Sequence, residues 1–385
     1  MRLRPLVLST LFLLLVAGLA AAFLTGAPQR AWDSARLVAN LAGQTPPPAG
    51  WVVREQAFWQ DAAGGHQGTL YRPVHRDSAA AMVLVPGADM AGDQHPLFVR
   101  FAETLASAGF LVLVPDIASL RRLEITAADA EPIAGAVRHM ASRPEGRNGV
   151  AVTAISYAVG PAVLAALTPG VSGHVAAILG IGGYYDSFAA ATFFTTGGFR
   201  AADGRWRQRE PANHGRWVFL RANASLLPDV NDRAVLLEIA RLRAAEPAAP
   251  VGHLVALLGP EGRAVWKVLE NADPERASGL LAELPAPMRA ELASLDLSQR
   301  DLSALQAELI LVHGRDDPVL PHTESVALAA AAPRAKVYLL DSLRHVDLDL
   351  ASLADGWRLF RAGWDLMSVR DRLEGPSDPP TPPGR

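Results

Sequence analysis

Three short stretches hold side chains whose types could do chemistry together. In "GVAVTAISYAVG", Gly149 to Gly160, a β-branched run stops at a lone serine, Ser156, and turns at once into a small, apolar pattern. "HGRDDPVLP", His313 to Pro321, sets two carboxylates side by side at Asp316 and Asp317, and "DSLRHVDLD", Asp341 to Asp349, carries His345. A serine hydroxyl is a weak nucleophile at neutral pH. Given a histidine to take its proton and a carboxylate to orient that histidine, it can attack a carbonyl carbon. Each residue also has a plainer use: Ser156 as a helix N-cap, the Asp316–Asp317 pair as a turn, His345 as a surface or core histidine.

The elements that would position these residues alternate along the chain. Two amphipathic strands near Trp51–Gln60 and Gln67–Arg72 suggest a hairpin. They are followed by "AAMVLVPG" (strand), Pro96–Ala108 (helix), "FLVLVPD" (strand), Ala128–Ser142 (helix), "GVAVTAIS" (strand), Ala158–Leu167 (helix) and "HVAAILGIGG" (strand). Continuous apolar strands alternating with helices predict an α/β fold, a mostly parallel sheet covered by helices on both faces. Alternation stops over residues 187–305, where helical segments dominate, and resumes with "AELILVHG", Thr323–Ala332, "AKVYLLD" and Leu353–Met367. An insertion of roughly 120 residues is too long for a loop and is expected to be a helical cap. The core is then residues 51–186 and 306–368, preceded by a Pro-rich linker region, 26–50, and followed by a disordered tail, 369–385. Within the linker region, Ala31–Leu41 has a short helical pattern ahead of "GQTPPPAG".

Composition narrows the function classes. The chain has 385 residues, half of them apolar, with a net charge of −3, the profile of a globular protein with a sizeable core. No basic stripe is present to follow a phosphate backbone, so nucleic acid is not an expected partner. Without cysteine there is no disulfide, thiolate nucleophile or zinc–thiolate site. The Gly87/Gly92 spacing imitates a phosphate loop, but Asp93 and Gln94 stand where Lys and Ser/Thr are required. No histidine pair at helical spacing suggests a metal site.

In an open parallel sheet, ligands bind beyond the carboxyl ends of the strands. Ser156, "PGADMAGDQHP", "HGRDDPVLP" and "DSLRHVDLD" all leave such ends. Ser156, Asp317 and His345, in that order, resemble the α/β-hydrolase fold superfamily, in particular its serine-esterase and dienelactone-hydrolase-like members, over about residues 51–368. That family sets its nucleophile in G-x-S-x-G, a strained turn between strand and helix. Here the motif is Ala154-Ile155-Ser156-Tyr157-Ala158, with alanine at both glycine positions. The resemblance implies His345 as the base and Asp317 as its partner, in a Gly-x-x-Asp pattern from Gly314 with Pro321 four residues on. It also implies an oxyanion hole from the amides of Tyr157 and Ala88, with Pro86 replacing the family's histidine in that loop. The implied activity is hydrolysis of a carboxylic ester, thioester or amide through an acyl-enzyme on Ser156, with no cofactor and no metal. The expected partner is a small-molecule acyl substrate of lipophilic character. Acyl transfer on the same triad, or a catalytically silent envelope binding protein, are the alternative readings.

The N-terminus addresses location. "MRLR" is followed by Leu6 to Leu24, nineteen residues without a charge. This predicts export and a periplasmic or otherwise extracytoplasmic domain. Ala20 and Ala22 supply a cleavage-site pattern, whereas the length of the run and the basic start also suit a retained membrane anchor over residues 6–24.

Overall fold

The computed structural model describes residues 27–42, 47–61, 64–76, 78–87, 95–211, 215–345, 347–348 and 352–375. An eight-stranded sheet runs through it in the order β1-β2-β4-β3-β5-β6-β9-β10. Its strands are β1 (Val52–Asp61), β2 (Gly64–Pro73), β3 (Ala80–Val85), β4 (Phe110–Pro115), β5 (Val150–Ile155), β6 (Val175–Ile181), β9 (Glu308–Gly314) and β10 (Ala335–Leu340). β1, β2 and β4 pair antiparallel, and every pairing from β4 to β10 is parallel. The central parallel strands are buried on both faces, which is why they read as unbroken apolar runs; every residue of β3 and β4 is buried, whereas β10 at the edge is partly exposed.

Helices cover the two faces. α1 (Ala27–Leu41), α2 (Pro96–Ser107) and α12 (Leu353–Glu374) lie on one, α3 (Ala130–Ala141), α4 (Val159–Leu167) and α11 (Thr323–Ala331) on the other. After β3 the chain crosses to β4 on one side, then returns past β3 to β5 on the other. The strand order therefore reverses between β3 and β5, and a crevice opens at their carboxyl ends, where doubly wound sheets bind ligands.

Residues 187–305 leave the sheet and build a cap: α5 (Ser187–Thr196), a hairpin of β7 (Gly198–Arg200) and β8 (Trp206–Gln208), and helices α6 (Gly215–Asn223), α7 (Val230–Ala245), α8 (Pro260–Glu270), α9 (Pro274–Ala282) and α10 (Ala286–Leu295). The cap has its own core around Trp217, Leu220, Leu236, Ile239 and Leu269. The two residues that lead into it are fastened to the sheet domain by Glu324 of α11, whose Oε2 accepts from the N–H groups of Tyr185 (3.0 Å) and Asp186 (2.8 Å).

The chain ends differ from the sequence expectation. Within the expected linker 26–50, α1 already begins at Ala27 and docks on the sheet domain. Asp33 is buried against Arg370 of α12 at 2.6 Å and lies 3.3 Å from Arg76. A helix held by a buried ion pair is part of the fold, not a spacer. At the other end α12 runs to Glu374, so residues 369–374, expected in a disordered tail, are helical, with Val369, Arg370 and Leu373 buried. The apolar run Leu6–Leu24 lies outside the described residues; among the described residues no helix is long and apolar enough to cross a membrane.

Candidate active site

Ser156 stands where β5 ends, and residues 156–158 form a tight helical turn that feeds α4. Its φ is +55°, a left-handed value that costs a non-glycine residue on the order of 1–2 kcal/mol. The residues two positions either side of the serine are small. Ala154 and Ala158, the positions where the sequence motif lacks glycine, are fully buried. The close approach is made instead at Gly160, where an added Cβ would fall 2.1 Å from the Tyr184 hydroxyl oxygen. Gly87, at the exit of β3, comes within contact of Ser156: a Cβ there would stand 3.4 Å from that of the serine.

The Tyr157 side chain braces this turn from behind. Its hydroxyl lies between the Thr126 carbonyl oxygen (2.6 Å) and Asp129 Oδ2 (2.8 Å), and it accepts from the Thr126 N–H at 2.8 Å. Burial pushes the Asp129 carboxyl up to about 6, although hydrogen bonds from Ser119 and Tyr157 favour its charged form. The main-chain N–H of Tyr157 belongs to the first turn of a helix, where N–H groups have no partner within the helix and point outward. Ala88, expected as the second amide donor, lies outside the described residues.

Asp317 and His345 are brought together. His345 Nδ1 and Asp317 Oδ2 are 2.9 Å apart. Asp317 is fully buried, and its other oxygen, Oδ1, accepts from the N–H groups of Val319 (2.7 Å) and Leu320 (2.9 Å). Burial works against its charge, but the hydrogen bonds and charges of His313 and His345 outweigh it and hold the carboxyl well below the usual carboxylate range. His345 takes a left-handed backbone, φ +57°, and Gly182 at the exit of β6, φ +63°, makes room beneath the pair. A Cβ on Gly182 would stand 3.4 Å from His345 Nδ1 and 3.5 Å from Asp317 Oδ2. Asp316, one residue away, points outward and pairs with Arg209 of the cap at 2.8 Å.

Two neighbours of this pair were not singled out by sequence reasoning. His313, fully buried on β9, lies with Nε2 3.4 Å from Asp317 Oδ2 and 3.0 Å from the Leu320 carbonyl oxygen, while its Nδ1 is 2.7 Å from Ser325 Oγ. A histidine inside an otherwise apolar strand was the available signal. Gly182 had none beyond its place after a strand.

Ser156 and His345 line one cavity of about 840 Å³, whose wall is mostly apolar and includes side chains of the cap, of α1, α2 and α12, and of the strand ends. No described hydrogen bond joins the two residues; such bonds are often long in ligand-free sites and tighten around substrate. Among the described residues no three of His, Asp or Glu converge to hold a metal ion.

This architecture is the α/β-hydrolase fold, with a helical cap over the carboxyl ends of the strands. No family model and no curated protein sequence matches the chain. Solved structures do. A candidate hydrolase of Legionella pneumophila subsp. pneumophila str. Philadelphia 1 superposes with a TM-score of 0.50 at 12% identity, over 89% of this chain and 95% of the other. The rice cell wall degrading esterase LipA of Xanthomonas oryzae, in a ligand-bound form, gives 0.49 at 14% identity, over 86% and 92%. The 2-hydroxy-6-oxo-6-phenylhexa-2,4-dienoate hydrolase BphD of Rhodococcus sp. strain RHA1 gives 0.38 at 17%, over 77% and 93%.

Proposed function

We propose that this protein is a serine hydrolase that cleaves a carboxylic ester of a lipophilic acid through an acyl-enzyme on Ser156. The observation that carries this reading is the placement of a serine with φ +55° and the Asp317–His345 pair, 2.9 Å apart, in the wall of one apolar cavity. Asp317, kept charged, accepts from the His345 Nδ1–H, which fixes the tautomer that leaves Nε2 free as a base. His345 Nε2 takes the Ser156 proton as Oγ attacks the ester carbonyl. The Tyr157 amide, and by analogy with the fold the Ala88 amide, donate to the oxyanion. Collapse of the tetrahedral intermediate breaks the C–O bond, and the alcohol leaves with the proton from His345. Water then repeats the sequence on the acyl-enzyme and releases the acid.

A fluorophosphonate probe tests this directly. It should label the wild-type chain at Ser156 and leave Ser156→Ala unlabelled but folded, with ester hydrolysis lowered at least about 10³-fold, since losing a triad nucleophile can cost roughly 10⁶ in turnover. Equal hydrolysis by the variant would remove Ser156 from the mechanism. We further propose that the domain works outside the cytoplasmic membrane, a reading supported by the basic start and the uncharged run Leu6–Leu24. An alkaline phosphatase fused to the C-terminus should then be active; an inactive fusion beside a fluorescent cytoplasmic one would contradict it.

A further inference from the structure

The cavity at Ser156 does not stay under the cap. Part of its wall comes from Phe194, Phe219 and Leu292 of the cap, and another part, referred to as its second arm, comes from the sheet and from helices that cover one face of it. That arm is lined by Leu37 and Leu41 of α1, Phe101 and Leu105 of α2, and Ala362 and Leu366 of α12. The sheet contributes Ile155, Leu179 and Val312, at the carboxyl ends of β5, β6 and β9. The lining extends from Leu97 to Leu105 along α2 and from Leu359 to Leu366 along α12, about 10–12 Å at the rise of an α-helix. Leu37, Leu105, Ala362 and Leu366 are buried, so this part of the lining lies within the fold, while Leu97 at the start of α2 is exposed and marks its open side.

We infer that this arm is the binding site for a long unbranched acyl chain, and that α1 serves as a wall of the substrate site. The inference rests on the ester hydrolysis proposed above and specifies the acid that the site takes. A space walled mostly by Leu, Phe and Ala forgoes dispersion contacts along those walls, and a hydrocarbon chain restores them where water gains little. The arm meets Ser156, so a chain lying in it has its carboxyl end at the nucleophile and its leaving group towards the cap. The charged side chain in this wall does not spoil the match, because Arg100 Nη2 donates to the Asn40 carbonyl oxygen at 3.1 Å. Asn40, His95 and the Thr104 hydroxyl, the last buried with no described partner, are further polar groups of this wall. α1 precedes β1 and belongs to no strand–helix repeat of the sheet. Its buried Asp33–Arg370 pair, 2.6 Å, fastens it to α12 while Leu37 and Leu41 turn to the arm.

The test uses the full chain held in amphipol, with p-nitrophenyl dodecanoate and acetate as substrates. Ala362→Phe and Leu41→Trp each add bulk to the arm, the first deep in it and the second on the less buried edge of α1. Each should lower the ratio of kcat/KM for dodecanoate over acetate at least tenfold. A diazirine-bearing hexadecanoate, irradiated with the wild-type chain, should cross-link to residues 27–42, 96–107 or 353–374. An unchanged ratio in both folded variants, with cross-links confined to the cap, overturns the proposal. If the wild-type chain hydrolyses no ester and Ser156 takes no fluorophosphonate, the proposed activity falls, while cross-links on α1, α2 or α12 uphold the arm as an acyl-chain site.

Discussion

At the scale of single residues, the arrangement of Asp316 and Asp317 separates two carboxylates that are chemically identical in the sequence. Asp317 is fully buried, charged, and 2.9 Å from His345, whereas Asp316 is 64% exposed and paired with Arg209. Removing the carboxylate that orients a catalytic imidazole lets the ring adopt the wrong tautomer, an effect of about 10⁴ in turnover in the trypsin-like case. Asp317→Asn should therefore lose at least about 10²-fold in kcat for ester hydrolysis. Asp316→Asn should stay within several-fold, because an exposed ion pair contributes at most about 1 kcal/mol. A severe loss at 316 with near-normal turnover at 317 would reassign the carboxylate. The same low Asp317 pKa makes a stability statement. Its folded value lies below the ordinary carboxylate value, so its contribution is present above that ordinary value and is lost as pH falls through the acid range.

At the scale of elements, the joint between sheet domain and cap is held by a buried carboxylate of the opposite tendency. Burial pushes Glu324 up to about 7, with the charges of Asp186 and Asp296 adding to the rise and the N–H groups of Tyr185 and Asp186 opposing it. The folded value exceeds the ordinary 4.5, so between those values the folded chain holds a proton that the unfolded chain has released. Stability from this group is complete below about 4.5 and is lost as pH rises towards 7, by about 3 kcal/mol at most. Wild-type thermal midpoints should fall from pH 5 to pH 7.5, and Glu324→Gln, which does not titrate, should flatten that slope. A slope equally steep in the variant would place the titration elsewhere, Asp129 being the next candidate. At the elbow of Ser156, the room that the family motif obtains from two glycines comes here from two alanines on β5 and its turn, and from Gly160, the second residue of α4.

At the scale of the whole molecule, the two ends of the described chain close on each other. Arg370, among the largest fully buried side chains, meets Asp33 across the packing of α12 on α1, and Arg30 pairs with Asp371 at 2.8 Å. Breaking a buried pair outright costs about 3–5 kcal/mol; removing Asp33 leaves Arg370 with Asp371 at 2.7 Å, so a loss below that range is expected. Asp33→Ala should show that loss in urea unfolding, and Asp33→Ala with Arg370→Met should recover a large part of it. If the single variant unfolds at the wild-type midpoint, α1 is not fastened by this contact. A chain closed in this way holds α1 inside the fold, and so this helix is also part of the cavity wall.

What could be read in the amino-acid sequence follows local rules. Apolar runs of strand length alternating with helices specify a parallel sheet, because such strands are buried on both faces, and strand exits mark where polar residues gather. Those rules, with the resemblance of the motifs, pointed to Ser156, Asp317 and His345 as candidates and to a cap expected over residues 187–305. They could not reach Gly182 or Glu324, whose meaning comes from partners 163 and 139 positions away. Nor could they place α1: a short helix with a charged residue every few positions reads as linker until Arg370, 337 residues on, is found against Asp33. Periodicity and propensity act within a few residues along the chain, whereas burial of a charge, the approach of two backbones and the enclosure of a cavity are set by residues that only the tertiary fold makes neighbours.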